Sequence, residues 1–211
     1  MYFAIEGVIG VGKTTLARLL QPQFDAELVL EVFEENPFLS NFYADRARYA
    51  FQTQIFFLLS RYRQQRRNIG DRLSQVKALI SDYTFEKDRL FAQINLYGDE
   101  LDMYYKVQEA LAEKIIAPDL VVYLRASTDI LMKRIAMRDR PYERQMDRDY
   151  IDLVNRAYDA FYFNSPHLTN ILTIDTDTLN FVEHAEDLEF ICNRIREELR
   201  LAPYQPKLPI Q

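Results

Sequence analysis

Near the start of the chain Gly7, Gly12, Lys13 and Thr14 complete the pattern G-x-x-x-x-G-K-[ST], directly after the apolar run 2–5. A buried strand running into such a turn constrains the fold more than any other stretch of this sequence. The glycines let the backbone curl until its N–H groups converge on an anion. A helix beginning near Thr14 adds the positive end of its dipole. Gly7, Gly10, Gly12, Lys13, Thr14 and Thr15 therefore read as a cradle for the phosphates of a nucleotide. Lys13 brings a mobile charge to the outer phosphates, and the Thr14 hydroxyl can coordinate magnesium.

Strand-like runs at 2–6, 28–33, 78–81, 120–124 and 171–175 alternate with helical stretches at 14–20, 43–68, 85–94, 101–116, 130–137, 149–163 and 182–199. Such alternation predicts an α/β protein with a mostly parallel sheet. In these sheets ligands bind beyond the carboxyl ends of the strands. Pro118 closes one helix, and Ser127 or Thr128 is placed to cap another. The segment from position 201 to 211, with three prolines, reads as a surface tail.

With 211 residues, the chain suits one domain. Its net charge of −6 argues against broad nucleic-acid binding and for a small-molecule partner. The one cysteine, Cys192, has no disulfide partner and reads as core. With only His167 and His184 beside it, no zinc cluster is expected. His167 reads as loop surface. No leader-like stretch and no long apolar run is found, so a cytoplasmic protein without membrane contact is expected.

Three polar clusters bear on what receives the phosphate. Glu31, Glu34 and Glu35 fall at or past the end of the second strand. They are either loop solvation or, facing the phosphate loop, the place for a general base toward a hydroxyl. In the next helix Gln54 and Arg61 lie together along the edge of an apolar stripe of Phe51, Ile55, Leu58 and Tyr62. A buried pair of this kind needs partners, either other side chains or a base edge and a phosphate. Arg134, Arg138 and Arg140 form the third cluster, read either as solvated surface or as a lid closing on phosphate.

The ordered set "GVIGVGKTT", "EVFEENPFLSNFY", "FQTQIFFLLSRYRQ", "SDYTFEKD" and "RIAMRDRPYE" resembles the deoxynucleoside kinases, and within them the bacterial deoxyguanosine/deoxyadenosine kinases. The resemblance runs from Met1 to about Leu199. It implies a P-loop kinase fold, a five-stranded parallel sheet flanked by helices with a short arginine-rich lid. The domain would span 1–200, with the lid at about 134–145. ATP is then the phosphate donor, Mg²⁺ the cofactor, a deoxynucleoside the acceptor and a homodimer the assembly. Glu31 becomes the base for the 5′ hydroxyl, although Val32 follows it where many relatives have proline. Tyr43 and Glu143 match the groups that hold the 3′ hydroxyl, and Gln54 the amide that pairs with the nucleobase. Arg61 faces the reacting end, Arg134, Arg138 and Arg140 are lid arginines, and Asp82 is the acid near magnesium. Asp88 influences the choice of base, which favours purines. One departure stands out: many members carry Asp/Glu-Arg-Ser/Thr where this chain reads Asp82, Tyr83, Thr84. Tyr83 thus occupies the position of a substrate-binding arginine.

Two rivals share parts of this pattern. A nucleoside monophosphate kinase of thymidylate type would use the same loop and sheet, but Glu31 and Glu143 would repel a charged acceptor. A nucleotide-binding switch without a small acceptor leaves Gln54, Arg61 and the arginine cluster without a task.

Overall fold

Five parallel strands form the sheet, in the order β2-β3-β1-β4-β5. They are β1 (Tyr2–Gly7), β2 (Ala26–Val29), β3 (Ala78–Ser81), β4 (Leu120–Arg125) and β5 (Ile171–Asp175). The computed structural model describes residues 1–32, 35–70, 72–144, 146–164 and 170–204. Of the positions singled out above, Glu34, His167, the last residue of the run 28–33, the last of the lid at about 134–145 and the tail from 205 onward lie outside them.

Burial follows position in the sheet. Every residue of β1 and β3 is buried, whereas β5 at one edge alternates, with Leu172 and Ile174 inward and Thr173 and Asp175 outward. Inner parallel strands are covered on both faces and read as continuous apolar runs; an edge strand needs only one apolar face. β2, at the other edge, covers only part of the run expected at 28–33. It pairs with β3 from Ala26 opposite Ala78 to Val29 opposite Ser81, and β3 offers no further residue to pair with. Glu31 consequently stands on a loop, two residues past the strand.

Among the described residues eight α-helices flank the sheet: α1 (Lys13–Phe24), α2 (Leu39–Ala44), α3 (Arg46–Gln65), α4 (Lys87–Asn95), α5 (Asp99–Ala112), α6 (Thr128–Arg138), α7 (Arg148–Asn164) and α8 (Ala185–Glu198). α1 outruns the expected 14–20 because Leu16, Ala17, Leu20 and Phe24 continue one buried stripe through Pro22. The single helix expected at 43–68 is instead two. Asp45 leaves helical geometry (φ −146°, ψ 84°), and its carboxylate accepts a hydrogen bond from the Arg48 N–H, starting α3. A π-helical turn at Arg66–Gly70 ends that segment. Ser127 does stand at the N-terminus of α6, but its side chain makes no capping bond. Cys192 is buried within α8. Among the described residues no helix is long and apolar enough to cross a membrane.

Candidate active site

The turn after β1 has the backbone its glycines foretell. Gly7 (φ +146°), Gly10 (φ +88°) and Gly12 (φ +107°) all take positive φ. At Gly7 a Cβ would stand 2.4 Å from the Leu124 carbonyl oxygen, and at Gly10 2.7 Å from an Ile135 side-chain carbon. Only glycine fits either place. Lys13, in the first turn of α1, folds back over the loop and donates to the Gly7 carbonyl at 2.6 Å and to that of Val8 at 3.2 Å. Desolvation, then the like charge of Lys87, pushes the Lys13 ammonium down to about 8, against the pull of Glu6, Glu31 and Asp82. Beneath the loop Glu6 is fully buried. It accepts from the Gly7 N–H (3.1 Å) and from the N–H and hydroxyl of Thr84 (2.6 and 3.1 Å). The loop is thereby tied to the start of the β3–α4 connection.

One pocket opens beyond the carboxyl ends of β1, β2 and β3, with Gly10, Lys13, Thr14, Glu31 and Asp82 on its lining. Asp82, directly after β3, joins its two sides: Oδ2 accepts from the Thr14 hydroxyl at 2.5 Å and Oδ1 from the Glu31 N–H at 2.7 Å. Glu31 is gripped by two cations. Arg61 Nε donates to Oε1 at 3.0 Å with Nη2 on the same oxygen, and Lys87 Nζ donates to Oε2 at 2.7 Å. Burial alone would raise the Glu31 pKa, but Arg61 and Lys87 outweigh it and hold the carboxyl well below the usual range. The third nitrogen of Arg61, Nη1, pairs with Asp88 of α4, and Phe57 lies under the guanidinium with its ring centre 4.6 Å from Cζ. Of the two partners left open for Arg61, side chains are the ones observed.

Farther from the phosphate loop the pocket is aromatic. Tyr43 and Tyr142 stack with rings 9° from parallel, and Phe42, Phe57, Phe91 and Tyr150 line the cavity around them. Gln54, only 3% exposed, faces this region from α3, and its amide makes no hydrogen bond among the described residues. Glu143, in the short 3₁₀ turn after α6, is also buried. Arg138 holds it with Nε at 3.1 Å and Nη2 at 2.6 Å from Oε2, and Arg140 stands 3.6 Å from Oε1. An amide and a carboxylate at one end, with a cation-held carboxylate and a phosphate loop at the other, suit a neutral ligand carrying hydroxyls.

Three of the expected site residues sit elsewhere. Arg134 does not reach this pocket. It lines a neighbouring groove with Gly10, Gly12, Thr15 and Phe181. There it donates to the Val11 carbonyl (3.3 Å) and to the Thr176 hydroxyl and carbonyl (2.9 and 2.8 Å), so its guanidinium is engaged by backbone rather than offered to the lid side. Tyr83 is fully buried, packed with Tyr2, Val29, Ile69 and Leu79, which takes its ring out of the pocket wall. Asp88 is fully buried too and acts on the pocket through Arg61. Conversely, Lys87 and Glu6 were not foreseen. Lys87 had one signal, its place five residues after Asp82 in the first turn of the next helix.

Comparison with known proteins agrees with this architecture. Residues 3–200 match the family model for deoxynucleoside kinase. The chain is 34% identical to a deoxyguanosine kinase of Bacillus subtilis over 200 residues, covering 93% of this chain and 96% of that one. It is 33% identical to a deoxyadenosine kinase of Dictyostelium discoideum over 165 residues, 76% of this chain and 66% of the other. The solved structure of a deoxyadenosine kinase from M. mycoides with bound dATP superposes with a TM-score of 0.80 at 26% identity, covering 93% of this chain and all of that one. The loop, the sheet and these matches converge: the chain belongs to the deoxynucleoside kinase family, phosphotransferases that act on a hydroxyl acceptor.

Proposed function

We propose that this kinase transfers the γ-phosphoryl group of ATP to the 5′ hydroxyl of a purine deoxynucleoside, deoxyguanosine or deoxyadenosine, giving the 5′-monophosphate. The observation that carries this reading is Glu31: its carboxylate is fixed by Arg61 and Lys87, and its backbone N–H is linked through Asp82 to Thr14 of the phosphate loop. The kinases of purine deoxynucleosides among its relatives support the choice of base.

In this reading the nucleoside lies with its base toward Gln54 and its sugar between Tyr43 and Glu143. Burial keeps the Tyr43 phenol protonated at neutral pH, so it donates where Glu143 accepts. ATP lays its phosphates over Gly7 to Thr15, and its base enters the groove beside Arg134. The bond between phosphorus and the 5′ oxygen forms as the bond to the β-phosphate oxygen breaks. The hydroxyl proton passes to Glu31. Such transfer needs positioning and charge neutralisation more than covalent help. The proton leaves late, once the forming bond has acidified the alcohol, so the ionised Glu31 need not be a strong base. Lys13 neutralises the donor phosphates, and Arg138 and Arg140 close over the transferred group from the lid.

Thr14 and Asp82 fit Mg²⁺ by their chemistry: a hydroxyl and a carboxylate, both hard oxygen donors, stand together beside the phosphate loop. When bound, the ion would neutralise charge between the outer phosphates. A cytoplasmic homodimer completes the proposal; Leu59 on α3 and Met103 on α5 are exposed apolar residues on the helices it would use.

The test is magnesium- and ATP-dependent phosphorylation of the four deoxynucleosides beside dTMP, dAMP and dGMP, with products separated by chromatography. Deoxyguanosine and deoxyadenosine are expected to be converted fastest, each to its 5′-monophosphate. Turnover of monophosphates alone would overturn the reading.

A further inference from the structure

Lys87 is 4% exposed, yet among the described residues its ammonium makes one hydrogen bond, to Glu31, although it carries three donors. It lines the same pocket as Lys13, Thr14 and Asp82, close enough to Lys13 for the two charges to disfavour each other. A buried ammonium, Lys87, and a half-buried one, Lys13, facing one space are an arrangement that an arriving anion relieves. Tyr83 is turned into the core, so the segment after β3 offers this space Asp82 and Lys87.

We propose that Lys87 is a catalytic cation of the transfer step, one that receives the phosphoryl group on the acceptor side. The inference rests on the kinase reading above and assigns a group that the family motif does not. Before reaction, Arg61 and Lys87 balance Glu31 and Asp88. As phosphorus bonds to the 5′ oxygen and separates from the β-phosphate oxygen, the hydroxyl proton goes to Glu31. Neutral Glu31 then releases the charge of Lys87 at the moment the 5′ oxygen gains a phosphate. Lys87 turns from the carboxylate to the new phosphate, which carries two negative charges: one left by the proton that went to Glu31 and one brought from the donor by the phosphoryl group. Lys13 keeps the donor side, and the two lysines bracket the transferred group.

The experiment compares wild type, Lys87→Gln and Lys87→Arg. Glutamine keeps a donor for Glu31 without the charge; arginine keeps both. Steady-state rates with deoxyguanosine and ATP are read beside calorimetric affinities for deoxyguanosine and for dGMP. Lys87→Gln is expected to lower kcat by roughly 10²-fold, the scale for removing one preorganised donor to developing charge. It should weaken dGMP about tenfold while leaving deoxyguanosine within about threefold. Lys87→Arg should recover most of both losses. Turnover by Lys87→Gln within about threefold of wild type, equal weakening of nucleoside and monophosphate, or an arginine variant as poor as glutamine would each overturn the proposal. Wild type that phosphorylates no deoxynucleoside would overturn the kinase reading as well, which separates the two failures.

Discussion

Across the cleft the two substrates meet different materials. On the donor side the backbone does the holding: three glycines at positive φ shape the loop, Lys13 rests on the carbonyls of Gly7 and Val8, and Arg134 binds those of Val11 and Thr176. On the acceptor side charged side chains hold one another, with Glu31, Arg61, Lys87 and Asp88 joined from a loop and two helices. Backbone dipoles cost little to bury once the turn is formed. Buried side-chain charges are stable only as a complete set. The donor half should therefore tolerate side-chain loss that the acceptor half does not.

Glu31→Gln tests that contrast most severely. It removes the proton acceptor and leaves Arg61 and Lys87 facing a neutral amide, so kcat should fall by roughly 10²–10⁴-fold. The KM for ATP should barely change, because the phosphate loop is untouched. Steady-state kinetics with deoxyguanosine and ATP varied in turn give both numbers, and near-normal turnover would remove Glu31 from the chemistry.

Arg61→Met asks the same question of stability. Arg61 is 5% exposed and pairs with both Glu31 and the fully buried Asp88. Stripping it leaves Asp88 buried without its cation, a loss on the order of 3–5 kcal/mol. Adding Asp88→Asn removes the orphaned charge and should return a good part of that loss. Urea unfolding of the two single variants and the double measures the coupling. Additive effects would mean that the acceptor side is not an interlocked set.

The same contrast explains what could be read from the chain. The phosphate loop is local: its consecutive turn residues carry their geometry in their spacing, and the inner strands announce themselves as unbroken apolar runs. Glu31, Gln54 and Arg61 were legible as candidates because each falls at a strand end or on the edge of a helical stripe. Their mutual arrangement was not legible, since positions 31, 61, 87 and 88 are joined only by tertiary packing. Lys87 looks like an ordinary helix-start lysine until Glu31 is placed against it. Local chemistry also hid the break at Asp45: the apolar period continues across it, and only the cap to Arg48 shows that the chain turns there.

Arg134 sharpens the comparison with the smallest expected effect. Its spacing with Arg138 and Arg140 reads as a three-arginine lid, yet its hydrogen bonds run to the Val11 carbonyl and to Thr176. A residue engaged in that way shapes the donor groove without touching the transferred phosphoryl. Arg134→Gln should then leave turnover almost unchanged. It should raise the KM for ATP by roughly threefold to tenfold, the scale of about 1 kcal/mol for a lost hydrogen-bonding partner. The KM for deoxyguanosine should stay put, because no acceptor-side group contacts this guanidinium among the described residues. If instead turnover dropped by roughly 10²-fold, as for a lost donor to the reacting phosphoryl, while the KM for ATP held, Arg134 would have to leave Thr176 during the reaction and join Arg138 over the phosphate. The donor side would then depend on a side-chain charge after all, and the division of labour between the two halves would fail where it is weakest.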